Sequence, residues 1–273
     1  MAFFNIIKPQ YVLSPYIRHY WYSNVDDRQM TIDKIIPMGC IYMLFHLGNN
    51  RLCDYRKKEL RPDVFVCGQS MEYSDVGPSG YTELFTVVFQ PYAASIFFNM
   101  PANLFKDQRI DVNDIGDLQL IELTNKVKEA FDIQECINLV EKFMITRLTL
   151  YHDFNLKRIA TTVNDMIIHP EHNLNNLADI ACYSPKQYSR LFMNIVGTTP
   201  KNLTRIIRLQ KALYMLRYSK LNMTQIAYNC GYTDPSHMNH EFKFFTDCTP
   251  LQYVSSYSLE KEPYSQYYDA SMH

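Results

Sequence analysis

The sequence lacks most of the features that mark secreted, membrane and catalytic proteins. No stretch approaches the ~20 apolar residues that span a bilayer, so no membrane segment is expected. The opening Met1–Lys8 has neither the basic start nor the long apolar run of a signal peptide, and a cytoplasmic location is expected. Seven cysteines (Cys40, Cys53, Cys67, Cys136, Cys182, Cys230 and Cys248) include no close pair. They read as reduced, mostly buried thiols. No Gly-rich phosphate loop, nucleophile elbow or paired Cys-His motif occurs. A cupin-type metalloenzyme, the rival from another class, needs a His-x-His pair with a nearby carboxylate. His46 stands alone on its run and His19 is distant in sequence, so a core or rim histidine is the simpler reading. His169/His172 and His237/His240 have i, i+3 spacing, but Pro170 interrupts the first pair and the second falls on a surface helix. No cofactor, no metal site and no catalysis are expected.

Net charge is small too, at −1, but it is unevenly spread. Residues 1–152 hold 15 Lys/Arg against 18 Asp/Glu, whereas residues 153–257 hold 11 against 7. The basic excess lies where a duplicated motif lies, and phosphate contacts need such an excess.

That motif is what the chain does have. The first copy contains Leu177, Ala178, Cys182-Tyr183-Ser184-Pro185, Leu191-Phe192, Gly197 and Pro200; the second contains Ile226-Ala227, Gly231-Tyr232, Asp234-Pro235, Phe242-Lys243 and Pro250. Ala178 and Ala227 lie 49 apart, as do Tyr183 and Tyr232, while Phe192/Phe242 and Pro200/Pro250 lie 50 apart. A short helix, a tight turn and a second amphipathic helix is helix-turn-helix grammar, in which the second helix enters the DNA major groove.

Local signals place the second helices. Ser184 is an N-cap, Pro185 suits the first helical position, and Gln187 completes a Ser-x-x-Gln capping box. Tyr188, Leu191, Phe192 and Ile195 then face inward, leaving Lys186, Gln187, Ser189 and Arg190 as base readers, with Arg190 suited to guanine and Gln187 to adenine. In the second copy Asn222-x-x-Gln225 caps a short helix and Gly231 ends it. Asp234-Pro235 starts the next, with Met238, Phe242 and Phe245 inward and Ser236, His237, Asn239 and His240 outward. Lys243 is placed for a phosphate. Between the copies Leu203, Ile206, Ile207, Leu209, Ala212, Leu213, Met215 and Leu216 describe a connecting helix. Its polar side carries Arg205, Arg208 and Lys211 as backbone contacts.

Residues 1 to about 115 read as β, from the apolar run Ile35–Leu47 and the β-branched and aromatic runs Val64–Gly68 and Leu84–Pro91. From Leu118 the period becomes helical: Leu118, Ile121, Leu123, Val127 and Phe131, then Cys136, Leu139, Val140, Phe143, Met144 and Leu148. This helical pair either dimerises or packs on the β domain. The expected fold is α+β. A β-rich N-terminal domain (cupin-like barrel or sandwich) with a helical pair covers 1–150, an all-α double helix-turn-helix domain covers 155–257, and a flexible tail covers 258–273. A linker is expected at Tyr151–Asn155.

Residues from about 155 to 254 resemble the AraC/XylS type of transcriptional regulator, through Leu177-Ala178, Ser184-Pro185, Ser189–Phe192, Gly197-x-x-Pro200, Arg208-Leu209-x-x-Ala212, Ile226-Ala227, Gly231–His237, Phe242-Lys243 and Thr249-Pro250. The resemblance implies promoter DNA as partner, usually activation in concert with RNA polymerase, and in many members a small-molecule effector held by the β domain. Cys182 and Asp247 depart from the pattern, each standing where glycine is usual, and each must take a left-handed conformation. More weakly, Pro15-Tyr16-Ile17, Tyr20-Trp21, Ile36-Pro37-x-Gly39-Cys40 and Val87–Ala93 resemble sensor domains of some such regulators. Tyr20, Trp21, Tyr42, Phe45, Phe65, Phe85 and Phe89 are candidate effector contacts, against the alternative of ordinary core. A homodimer is expected. Two alternatives remain: an N-terminal domain that only dimerises, or one that binds a protein partner.

Overall fold

The computed structural model describes residues 3–25, 32–149 and 154–256. The expected linker residues Tyr151, His152 and Asp153 and the expected tail from residue 258 lie outside them.

Ten strands are described: β1 (Phe3–Ile7), β2 (Ile17–Val25), β3 (Asp33–Ile35), β4 (Tyr42–His46), β5 (Leu52–Asp54), β6 (Glu59–Leu60), β7 (Val64–Cys67), β8 (Ser74–Pro78), β9 (Thr82–Phe89) and β10 (Arg109–Asp111). They form a six-stranded sheet, β1-β2-β9-β4-β7-β10, and a four-stranded sheet, β3-β8-β5-β6. Between the sheets Leu44, Leu52, Phe65, Cys67, Val76 and Leu84 form one apolar cluster.

The large sheet is apolar on both faces, because its strands alternate two buried sets. Met43, Phe45, Val64, Val66, Phe85, Val87 and Phe89 point away from the small sheet, into a cluster completed by helices. These helices are α1 (Ala94–Phe98), α2 (Val112–Ile115), α3 (Leu118–Glu129) and α4 (Ile133–Thr149). Leu120, Leu123 and Val127 of α3 and Cys136, Ile137, Val140 and Met144 of α4 supply the facing surface. Of the two readings of the helical pair, its inner face is therefore the one packed on the sheet. Leu118 and Phe131, which continue the apolar period, are 80% and 94% exposed.

The remaining helices are α5 (Phe154–Ile168), α6 (Leu174–Ile180), α7 (Pro185–Val196), α8 (Pro200–Tyr218), α9 (Met223–Asn229), α10 (Pro235–Thr246) and α11 (Pro250–Ser256). Their cores do not stop at a domain boundary. The cluster behind the large sheet runs on through Leu156, Ile159 and Val163 of α5, Tyr188 and Phe192 of α7, and Leu203 and Ile207 of α8. A second cluster takes Ile36, just past β3, in among Ile206, Leu209, Leu213, Phe242, Phe245 and Tyr253.

Gly197 shows how close the approach is. It ends α7 in the left-handed region at φ 84, and a Cβ there would lie 2.7 Å from the Ala102 carbonyl oxygen. Gly197→Ala is expected to cost about 1–3 kcal/mol in urea unfolding, from backbone strain and overpacking together. A change under about 0.5 kcal/mol, the level of an ordinary surface substitution, would show that the contact relaxes.

Candidate DNA-reading surface and sensor cavity

Each helix-turn-helix unit is assembled by the local chemistry of its turns. The Ser184 hydroxyl accepts from the Gln187 backbone N–H at 3.3 Å, and Pro185 opens α7. Only this half of the expected capping box forms, and the Gln187 side chain stays exposed. Asn222 and Gln225 make a full reciprocal box at α9, and Asp234 caps α10 by accepting from the His237 N–H at 2.8 Å. Asn173 and Asn176 form a further reciprocal box at α6 that the Ser/Thr-centred signature overlooks. The two departures from glycine are strained as their positions require: Cys182 has φ 56 and Asp247 φ 63.

Buried Tyr188, Phe192 and Ile195 fix the rotation of α7, as Met238, Phe242 and Phe245 fix that of α10. That rotation leaves Lys186, Gln187 and Arg190 exposed and Ser189 half-buried, its hydroxyl donating to the Pro185 carbonyl at 2.8 Å. On α10, Ser236, Asn239 and His240 are exposed. His237 is half-buried: its Nδ1 meets the Thr233 hydroxyl at 3.0 Å and its ring meets Tyr232 edge-on. Lys243 is exposed and Lys211 half-buried.

Two of the expected backbone contacts, Arg205 and Arg208, have partners within the chain. Arg205 makes a bidentate pair with Glu241 (2.7 and 3.0 Å) and lies over the Phe244 and Phe245 rings. Arg208 sends Nε and one terminal nitrogen to the Pro170 carbonyl (2.9 and 2.6 Å), over the Tyr232 ring. These guanidiniums brace the connecting helix, 19 residues and so ~28 Å long, against both units. The acidic partner Glu241 carries no motif signal, and spacing alone gives an arginine on a polar helix face no reason to fold inward.

Both recognition helices are fastened to the N-terminal domain at the same end. Gly197 at the end of α7 abuts Ala102, as above. At the end of α10, Lys34 of β3 donates to the Thr246 carbonyl at 3.1 Å and lies 4.0 Å from the Asp247 carboxylate. Tyr73, whose ring packs under Lys34, donates its hydroxyl to Asp247 at 3.3 Å. A cation at a helix C-terminus meets the negative end of the helix dipole. Gln210 of α8 reaches across to the Pro37 carbonyl at 2.7 Å.

Strand alternation divides the seven candidate effector residues. Trp21, Tyr42 and Phe65 line the space between the sheets. Tyr20, Phe45, Phe85 and Phe89 point the opposite way, into the helix-facing core. The Tyr20 hydroxyl is also committed, to the buried Glu141 carboxylate at 3.3 Å, which accepts from Gln10 as well. The space itself is small, about 20 Å³ in one lobe and about 30 Å³ in the next, room for a water molecule or two.

His46 is fully buried with both ring nitrogens used: Nδ1 faces the Asp63 carbonyl at 2.9 Å and Nε2 accepts from the Leu52 N–H at 3.0 Å. Burial lowers its pKa, which keeps it neutral. His169, Glu171 and His172, by contrast, are brought together despite Pro170, with donor atoms within 4.8 Å of one another. His172 is held through Nδ1 by Asp165 at 2.7 Å. All seven cysteines are unpaired, and Cys40, Cys67, Cys136 and Cys230 are buried. Among the described residues no helix is long and apolar enough to cross a membrane.

Two helix-turn-helix units on one connecting helix define a DNA-binding domain. The comparisons with known proteins agree. Residues 177–256 match a family described as a helix-turn-helix domain, and residues 5–111 match a domain of unknown function, DUF6597. An uncharacterized HTH-type transcriptional regulator of Haemophilus influenzae is 26% identical over 156 residues, 56% of this chain and 50% of that protein. The HTH-type transcriptional activator RhaS of Mannheimia succiniciproducens is 29% identical over 134 residues, 45% of this chain and 48% of that one. Among solved structures, ToxT from Vibrio cholerae covers 93% of this chain and 98% of its own, at 12% identity and TM-score 0.46. The chain spans about half the length of the curated relatives it matches. Together with the double helix-turn-helix geometry, the match over residues 177–256 and the similarity to RhaS show a DNA-binding helix-turn-helix domain like those of AraC-type transcriptional regulators.

The placement of Arg208 reverses what its sequence position suggests. Arg208→Ala is expected to lower stability by roughly 1–3 kcal/mol, because the Pro170 carbonyl loses two charged donors, while the salt dependence of DNA binding keeps its slope. A slope smaller by ~1 at unchanged stability would restore a phosphate role. Cys182→Gly should act the other way, raising stability by about 0.5–1 kcal/mol in the same assay by relieving the left-handed strain.

Proposed function

We propose that the chain is a sequence-specific regulator, of the activating kind, that reads two successive major grooves with α7 and α10. The observation that carries this reading is the pair of outward polar faces held by one connecting helix. Lys186, Gln187, Ser189 and Arg190 form one and Ser236, His237, Asn239 and His240 the other. Lys243 and Lys211 are the expected phosphate contacts left without a partner role like that of Arg205 on Glu241 and Arg208 on the Pro170 carbonyl. Activation is supported by the activator named among the relatives, with RNA polymerase as partner. The reading extends to a homodimer acting on promoter DNA in the cytoplasm and to an effector at the β domain.

Binding-site selection from a random DNA library with the purified chain tests this directly. Two short motifs spaced roughly 10 bp apart are expected. Absence of binding even at low salt would overturn the proposal. On the selected site, Arg190→Ala should weaken binding by ~1–3 kcal/mol and relax preference at one base pair. An equal loss on every sequence would make Arg190 a phosphate contact instead.

A further inference from the structure

The space between the two sheets holds charge that a simple core does not need. Arg61 and Asp54 form an ion pair at 2.6 Å, with side chains 3% and 2% exposed. A second guanidinium, Arg109 of β10, lines the same space and is hydrogen-bonded to the Ser74 hydroxyl. Among the described residues no carboxylate is ion-paired with Arg109, which is half-buried, while Asp54 is taken by Arg61. Burial and the neighbouring Arg109 charge both depress the Arg61 pKa, opposing the stabilisation by Asp54. The adjoining lobe, which shares Ile35, Tyr42, Ser74 and Arg109, contains Gln69. Gln69 is 2% exposed, and neither its amide nitrogen nor its amide oxygen has a hydrogen-bond partner among the described residues. Buried polar groups are normally paired, so an orphaned amide beside an uncompensated cation marks an incomplete site. Leu44, Leu52, Phe65 and Val76 form the apolar part of the lining, beside Thr86, and Ser70 and Glu72 stand in the adjoining lobe.

We propose that this space is the site of a small organic anion, a carboxylate head on a short apolar body. Arg109 and Arg61 hold its head, Gln69 completes the polar contacts, and Leu44, Leu52, Phe65 and Val76 take the body. The proposal rests on the reading of the β domain as a sensor. It also gives that sensor a wire. With room for only a water or two, the sheets must part to admit such a ligand. Ile35 lines both lobes. Its neighbours Lys34, Ile36 and Pro37 are the residues that grip α10 and α8. A ligand that moves Ile35 must therefore change the hold on the second reading unit, and by linkage DNA must change the affinity for the ligand.

The chain's single tryptophan, Trp21, lines the cavity and supplies a reporter. Acetate, hexanoate, octanoate, hexanamide and inorganic phosphate would be titrated into the full chain while Trp21 fluorescence is read, with thermal melting to confirm folding. A saturable response to hexanoate or octanoate is expected, with none to hexanamide. Arg109→Gln should weaken it about tenfold or more, the loss typical of a charge-assisted hydrogen bond, and Gln69→Leu should weaken it by less in a chain that melts normally. Absence of any saturable carboxylate response in the folded chain would overturn the site. An equal response to hexanamide would overturn the anion, and phosphate binding as tightly as hexanoate would overturn the organic body. The same samples would be titrated with the selected DNA site. At least a fivefold change in DNA affinity with bound hexanoate is expected; no change would overturn the coupling. DNA binding without any carboxylate response fails this inference alone, and a carboxylate response without DNA binding fails the regulator reading alone.

Discussion

The arrangement depends on apolar contact that ignores the boundary between sheet and helix. The large β-sheet buries both faces, one against the small sheet and one against helices, and the helix-facing cluster continues through α5 and α7 into α8. Burial of this kind is non-directional and scales with area, so it sets how firmly the parts are held without dictating their angle. The angle comes from a few polar contacts of defined geometry. Lys34 meets the end of α10, Gln210 meets Pro37, and the missing side chain of Gly197 lets α7 approach Ala102. Apolar area binds the two halves together, and single hydrogen bonds orient them.

This division of labour explains what the sequence could and could not reveal. The reading units were legible because each is a local device: Ser184, Asp234 and Asn222 cap helices within three residues, and Gly231 takes the left-handed turn expected of it. Cys182 and Asp247 even disclosed their strain, since the family pattern that the sequence resembles has glycine at both places. The fate of Arg205 and Arg208 was not legible, because their partners Glu241 and Pro170 lie 36 and 38 residues away along the chain.

The effector candidates divide between two cores for a different reason. Aromatics were chosen by type, but a strand buried on both faces sends its neighbours in opposite directions. Leu44 and Phe45 are adjacent, yet they belong to different cores. Continuous apolar runs conceal this, since alternation shows only when one face is polar. Arg61, Arg109 and Gln69 escaped notice because nothing about an isolated polar residue tells that it is turned inward.

The duplication carries one more relation than the reading face. Gly197 and Asp247 occupy equivalent places, each ending a 12-residue recognition helix and each touching the N-terminal domain. Both helices are therefore gripped at the tail, with the starts that carry the proposed base readers pointing free. A helix of this length is a stiff rod of ~18 Å. By simple lever geometry over that length, a tilt of about 5° at the grip sweeps the free tip by ~1.5 Å, about half a hydrogen-bond length. A movement too small to break any contact at the domain junction is thus large enough, at the far end, to decide whether a side chain meets its base.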